Sequence, residues 1–270
     1  MREFVRWLSL IVYCCAFSGA AVAEDASLFQ EPRLLTYFVI EQQAQPLQIE
    51  DEDKPHSGIV SDIVLQIAND LSLPIEVVVL PFKRMVLEMK KPKNRNWLAY
   101  GSPAWRKDSS VSVQSNCLLP QPILNVTHSL ITRSDDQLAI DSVEKLFGQR
   151  VITLHGYSYP VLADYFSQGA IHKLDVKSLQ SAFKAVAAKR GVGFVGMDIR
   201  VLHSFASGEL SRADFRFYDL SFLIPEYPIH LSYDCNMDTD LRMAIAKRYG
   251  ELIDDGSVVS VLEKYLSPAN

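Results

Sequence analysis

The order in which hydrophobic periods follow one another constrains this chain more tightly than its content does. A β-branched and aromatic run over residues 34–40 reads as a strand, and a polar loop with Pro46 and the acidic residues 50–53 comes after it. Gly58 then introduces Ile59, Ile63, Ile67 and Leu71, which recur every four residues, with Asp62 in the first turn. That spacing puts all four on one face of a helix. Residues 73–80 return to a strand pattern, 81–91 to a helix and 97–100 to a short strand. Strand and helix in alternation predict an α/β fold: a parallel-rich sheet with helices on its faces.

A second cycle of the same kind starts at residues 126–132, after a break at Pro120-Gln121-Pro122. Asp141-Ser142-Val143-Glu144 has capping-box spacing and opens a short helix ending at Gly148. Strands are expected at 151–154, 173–176 and 192–195, with helices at 158–167, 178–189 and 198–205. The chain closes with a strand at 229–233 and two helices, 240–253 and 257–266, divided at Asp255-Gly256. No repeat and no low-complexity linker separates the halves, which favours two compact lobes with short connections. Ligands of such sheets lie beyond the carboxyl ends of the strands, so the loops there are the places to search.

The first residues read as an export signal. Arg2 and Arg6 flank a short basic region, residues 8–17 are almost continuously apolar, and Ala21-Val22-Ala23 offers small residues for cleavage after Ala23. The apolar stretch falls short of the about 20 residues that span a bilayer. Cys14 and Cys15 lie inside it, before the cleavage residues, and follow no convincing lipobox. A periplasmic protein is therefore expected. Its net charge of −5 offers nothing to nucleic acid or to an anionic membrane.

After cleavage only Cys117 and Cys235 remain. An oxidising compartment permits one disulfide between them, and two separate buried thiols are the alternative. The six histidines show no metal-ligand spacing, and no nucleophile elbow, P-loop or dinucleotide glycine pattern is present. No metal or cofactor is expected.

Taken in order, several pieces resemble the bacterial family 3 extracellular solute-binding proteins, the periplasmic amino-acid receptors of ABC importers. They are Gly58-Ile59-Val60-Ser61-Asp62, Pro81-Phe82-Lys83-Arg84, Gly101-Ser102-Pro103-Ala104-Trp105-Arg106, Leu154-His155-Gly156-Tyr157-Ser158, Gly193-Phe194-Val195-Gly196-Met197-Asp198 and Asp255-Gly256. The resemblance covers about residues 33–266. It implies a type II, bilobed clamp: residues 1–23 signal, 24–122 first lobe, 123–226 second lobe and 227–270 a return to the first. Two hinge crossings would lie near 115–121 and 225–232, close to Cys117 and Cys235.

An α-amino acid presents a carboxylate and an ammonium, and neither is buried cheaply without a partner. The resemblance assigns the carboxylate to Arg106, whose planar fork holds two oxygens, with Ser102 as an added donor. It assigns the ammonium to Asp198, although an N-cap aspartate at the start of a helix explains the same residue. Gly156, Tyr157 and Ser158 form the turn into the second lobe's first helix, with Ser158 a credible N-cap. Phe82 occupies the place of an aromatic against the ligand side chain; Tyr37 and Trp105 are further aromatic candidates. Arg84 reads an acidic group on the ligand or pairs with Glu88 one turn on. Two departures stand out: Pro103 where the family commonly has threonine, and Gln45 where many members carry an aromatic.

The resemblance implies a non-catalytic receptor for an amino acid or related small carboxylate, delivering it to the permease of an ABC importer. Two other roles share the fold: a receptor that presents its closed form to a membrane sensor, and an enzyme of the cyclohexadienyl or arogenate dehydratase kind. The enzyme would need a cleft carboxylic acid of tuned pKa, and no residue stands out for it.

Overall fold

The computed structural model describes residues 34–41, 44–51, 56–91, 95–107, 116–157, 159–206 and 211–266; the expected signal segment and Ser158 lie outside them, as do the side chains of Arg106, Lys107, Asn116 and Ala206. The first half contains β1 (Leu35–Ile40), α1 (Ile59–Asp70), β2 (Ile75–Leu80), α2 (Phe82–Met89), β3 (Trp97–Gly101) and β4 (Asn116–Val126). The chain continues with β5 (His128–Arg133), β6 (Arg150–Leu154), α3 (Pro160–Ser167), β7 (His172–Val176), α4 (Leu179–Ala187), β8 (Gly193–Met197), α5 (Asp198–Ala206) and β9 (Phe215–Asp219). Last come β10 (Tyr227–Asp234), α6 (Thr239–Asp254) and α7 (Ser257–Leu266).

The strands form two five-stranded sheets, ordered β2-β1-β3-β10-β4 and β7-β6-β8-β5-β9. In the first, β1 lies parallel to β2 and β3, and β10 runs antiparallel to β3 and β4. In the second, β6 lies parallel to β7 and β8, and β5 runs antiparallel to β8 and β9. Thr127 alone separates β4 from β5, and Val126 pairs with Tyr227, so the two crossings between the sheets start side by side.

The helical stripe of α1 packs as its spacing dictates, with Ile59, Ile63 and Ile67 all buried. Gly58 enters this helix at φ 112°, and a Cβ there would stand 2.8 Å from the Leu47 carbonyl oxygen, so no larger residue fits. α7 docks on the same end: the Tyr265 hydroxyl accepts from the Gly58 amide at 2.8 Å and donates to Asp62 Oδ2 at 2.9 Å. The C-terminal helices thereby belong to the first sheet. Tyr37 is fully buried there, its hydroxyl held by Ser61 Oγ and Gln48 Nε2 at 2.9 Å each. It is a core residue of the first sheet.

Three local expectations are corrected. Pro120-Gln121-Pro122 does not break the chain, because β4 runs through it as an edge strand, where a missing N–H is tolerated. Its register against β10 slips so that Leu119, Pro120 and Gln121 face the single Leu231, and His230 Nδ1 donates to the Leu119 carbonyl at 2.8 Å. The capping-box segment makes only a 3-10 turn, Val143–Leu146, and α3 starts at Pro160 with Tyr159 as its N-cap, not Ser158. Proline fixes a helical φ at the first position and pushes the residue before it out of the helical region, which moves the helix start past Ser158.

Candidate functional site

Between the sheets lies a cavity of about 270 Å³, walled at the carboxyl ends of parallel strands by Ile40, Tyr100, Leu154 and Met197. Phe82, Trp105, Tyr157, Tyr159, Phe194 and Tyr227 add aromatic rings to its wall. Trp105 packs edge-on against Tyr100 at 5.8 Å and Tyr227 at 6.3 Å. Phe82, at the start of α2, lies parallel to Tyr157 beyond β6, with centroids 6.1 Å apart and planes 4° apart. That pair joins the first lobe to the second, at a strength of about 0.5–1.5 kcal/mol.

Among the described residues lining the cavity, the one formal charge is that of Arg200. Arg200, on α5, is only 7% exposed, and its guanidinium carbon lies 4.9 Å from the centroid of the Tyr157 ring. Its Nε has no hydrogen-bond partner, and among the described residues no carboxylate lies within salt-bridge distance of it. The turn from β8 into α5 explains how the residue comes to point inward. A Cβ on Gly196 would meet Phe194 at 2.7 Å and Val201 at 2.8 Å, so glycine lets α5 pack hard on the strand it follows. Val201 then enters the core and its neighbour Arg200 lines the cavity.

The Arg200 charge acts on a ring of titratable neighbours. Burial, and after it Arg200, lowers His128 to about 4, so this histidine is neutral at physiological pH. His128 Nδ1 is buried without a partner, and the ring lies 5.5 Å from that of Tyr227. Burial raises the phenols of Tyr100, Tyr159 and Tyr227, and Arg200 pulls against each rise. None of the described residues lining the cavity is a carboxylate.

Asp198 stands at the first position of α5, where its Oδ2 accepts from Thr127 Oγ1 at 2.6 Å and its amide donates to the Thr127 carbonyl at 3.0 Å. Its Oδ1 is buried and unpartnered, and the residue is not part of the cavity wall. Thr127→Val leaves a carboxylate with neither oxygen bonded to a side chain. It is expected to cost about 1.5–3 kcal/mol in urea unfolding, the range for hydrogen bonds to charged groups; a change below about 0.5 kcal/mol would show that the bond carries no weight.

The other residues singled out by sequence are dispersed. Phe82, Tyr157 and Trp105 line the cavity. Ser102 is buried just beyond β3, and its Oγ accepts from the Ala104 amide at 3.2 Å. Gly156 turns the chain at φ 86° and lies off the cavity wall. Arg106 belongs to the 3-10 turn Pro103–Lys107, whose Ala104 and Trp105 border the cavity. Arg84 and Gln45 are exposed and off the wall, and Glu88 pairs with Lys91 at 2.6 Å. Cys117 and Cys235 are joined by a disulfide. Among the described residues no group of three or more His, Cys, Asp or Glu is placed to hold a metal ion.

No protein-family model and no curated protein matches the chain. Solved structures do. A mutant of the arginine-binding protein from T. maritima superposes with a TM-score of 0.65 at 17% identity, over 87% of this chain and 95% of that one. The GluR0 ligand-binding core from Nostoc punctiforme, in complex with L-glutamate, gives 0.64 at 21% identity, over 87% and 99%. The fold is the bilobed one of periplasmic binding proteins. An ancestral arginine-binding protein bound to arginine gives 0.66 at 16% identity, over 87% and 98%. An ancestral amino-acid-binding protein described as a precursor of cyclohexadienyl dehydratase gives 0.63 at 15%, over 87% and 96%.

Sequence reasoning missed Arg200, His128, Tyr100, Tyr159 and Tyr227. For Arg200 a signal existed: it falls three residues after Met197 and next to Val201, on the inward stripe of a helix already expected there. The aromatics carried no such signal, since a large ring between apolar neighbours reads as core in either place.

Proposed function

We propose that this protein is an exported, non-catalytic solute receptor that closes its two lobes on an amino acid or a related small carboxylate and delivers it to the permease of an ABC importer. The observation that supports this most is the cavity between the sheets, with a buried guanidinium in its wall and, among the described residues, no carboxylate to neutralise it. An unpaired buried charge is costly, and a bound anion would offset that cost. The amino-acid neighbours on the same fold and a disulfide suited to an oxidising compartment support the same reading. No helix among the described residues is long and apolar enough to cross a membrane. Closure is proposed to bend the chain where β4 runs into β5 and where Asp219 returns to Tyr227; a ligand that prefers the closed form shifts that equilibrium. Arg106 is proposed as a further carboxylate partner in the closed form, and Asp198 as the ammonium partner only where the ligand is an amino acid.

A thermal-shift screen of the purified chain against amino acids and small carboxylates tests this. At a ligand concentration 100 times Kd the expected stabilisation is about 2.7 kcal/mol, several degrees in Tm. No shift with any member of the panel, together with an unchanged melt in Arg106→Ala, ends the reading. Copurification with a membrane sensor instead of a permease would move the protein to signalling, and turnover of prephenate or arogenate would make it an enzyme.

A further inference from the structure

Resting on the receptor reading above, we infer that the anchor of the site is Arg200 of the second lobe, and that the ligand is an aromatic monocarboxylate whose recognition does not involve an ammonium group. Three observations carry this. First, Arg200 is 7% exposed, lines the cavity and has no carboxylate partner among the described residues, so its guanidinium is desolvated with one side supported by the Tyr157 ring and its Nε unbonded. A cation held this way is satisfied by a carboxylate entering from the cavity, which meets the fork with two oxygens.

Second, the described residues of the wall offer an ammonium no counter-ion. None of the described lining residues is acidic, His128 supplies a neutral ring, and Asp198, two residues before Arg200, lies off the wall with one oxygen bonded to Thr127. A zwitterion would bring a second cation into the cavity of Arg200 with no anion to receive it. Third, what the wall does offer is ring surface from both lobes: Phe82, Tyr100 and Trp105 from the first, Tyr157 and Tyr159 from the second, with Tyr227 at the crossing between them. Flat apolar faces of this kind bind another flat apolar face.

The experiment is calorimetric titration of the full chain, stripped of ligand by unfolding and refolding. The probes are benzoate, phenylacetate and 3-phenylpropionate on one side, and L-phenylalanine, L-tyrosine and L-glutamate on the other. The expected result is that at least one aromatic acid binds tenfold or more tightly than every amino acid. Arg200→Met should weaken that acid about 100-fold, while the variant melts at or above the wild-type temperature because it removes an unpaired buried cation. L-phenylalanine binding as tightly as 3-phenylpropionate, or any amino acid binding while none of the aromatic acids does, overturns the inference and leaves the receptor reading standing. An aromatic acid held equally by wild type and Arg200→Met removes Arg200 as anchor. If none of the six probes binds and the wider carboxylate screen is also silent, the receptor reading falls with it.

Discussion

The double variant Cys117→Ser, Cys235→Ser is expected to lose about 4–5 kcal/mol of unfolding free energy. The bridge spans 118 residues, and in the chain-entropy description a cross-link closing a loop of about 100 residues removes that much freedom from the unfolded chain. For a protein of this size each kcal/mol moves Tm by about 2–4 °C, so the melt should fall by roughly 10–20 °C. Cys117 is near the start of β4 and Cys235 follows β10, strands whose mutual pairing does not depend on the bridge. The folded architecture should therefore persist, seen as an unchanged far-ultraviolet spectrum below the transition. A loss under about 1 kcal/mol in guanidinium unfolding would mean that the unfolded chain is not relaxed by removing the bridge.

The second large effect is a dependence on pH centred on His128. In the unfolded chain its imidazole takes up a proton near 6.5; in the folded chain burial, then the Arg200 charge, lowers this to about 4. The sign follows from which state binds the proton more readily. Above about 6.5 both states are neutral at this residue and the full stability is present. As pH falls from there toward 4 only the unfolded chain protonates, so stability declines by about 1.4 kcal/mol per pH unit, to a total of about 3 kcal/mol. Below 4 the histidine contributes no further slope. Urea midpoints measured at intervals between pH 7.5 and 4.5 should show this decline in the wild type and a flattened curve in His128→Gln. Parallel curves for the two proteins would remove His128 as its source.

The lobes themselves were legible because their signals are periodic. The stripe Ile59, Ile63, Ile67 and the β-branched runs around it mean one thing at any position, and the structure places them in α1, β1 and β2. Elements went unread where a rule about local chemistry was overruled by position in the sheet. Prolines in β4 are tolerated because that strand is an edge, which no local window reveals. β9 escaped although Phe215 and Phe217 alternate with Arg216, because five residues between two loops give the period too little length. The site was legible only in part, for a related reason. Phe82, Tyr157 and Trp105, singled out in the sequence, line the cavity, whereas Arg200, although it sits on an inward helical stripe, stands apart from other arginines only by lacking an acidic partner among the described residues, and that is a property of the packed interior.

The one-residue step from β4 to β5 and the pairing of Val126 with Tyr227 carry a last consequence. In topological terms the second lobe is a guest threaded between two antiparallel arms of its host, which would otherwise meet in a hairpin. The host's own strands adjoin at the point of departure and are stapled covalently near their far ends by Cys117 and Cys235. The strand order of the first sheet is therefore set entirely by residues outside 127–226.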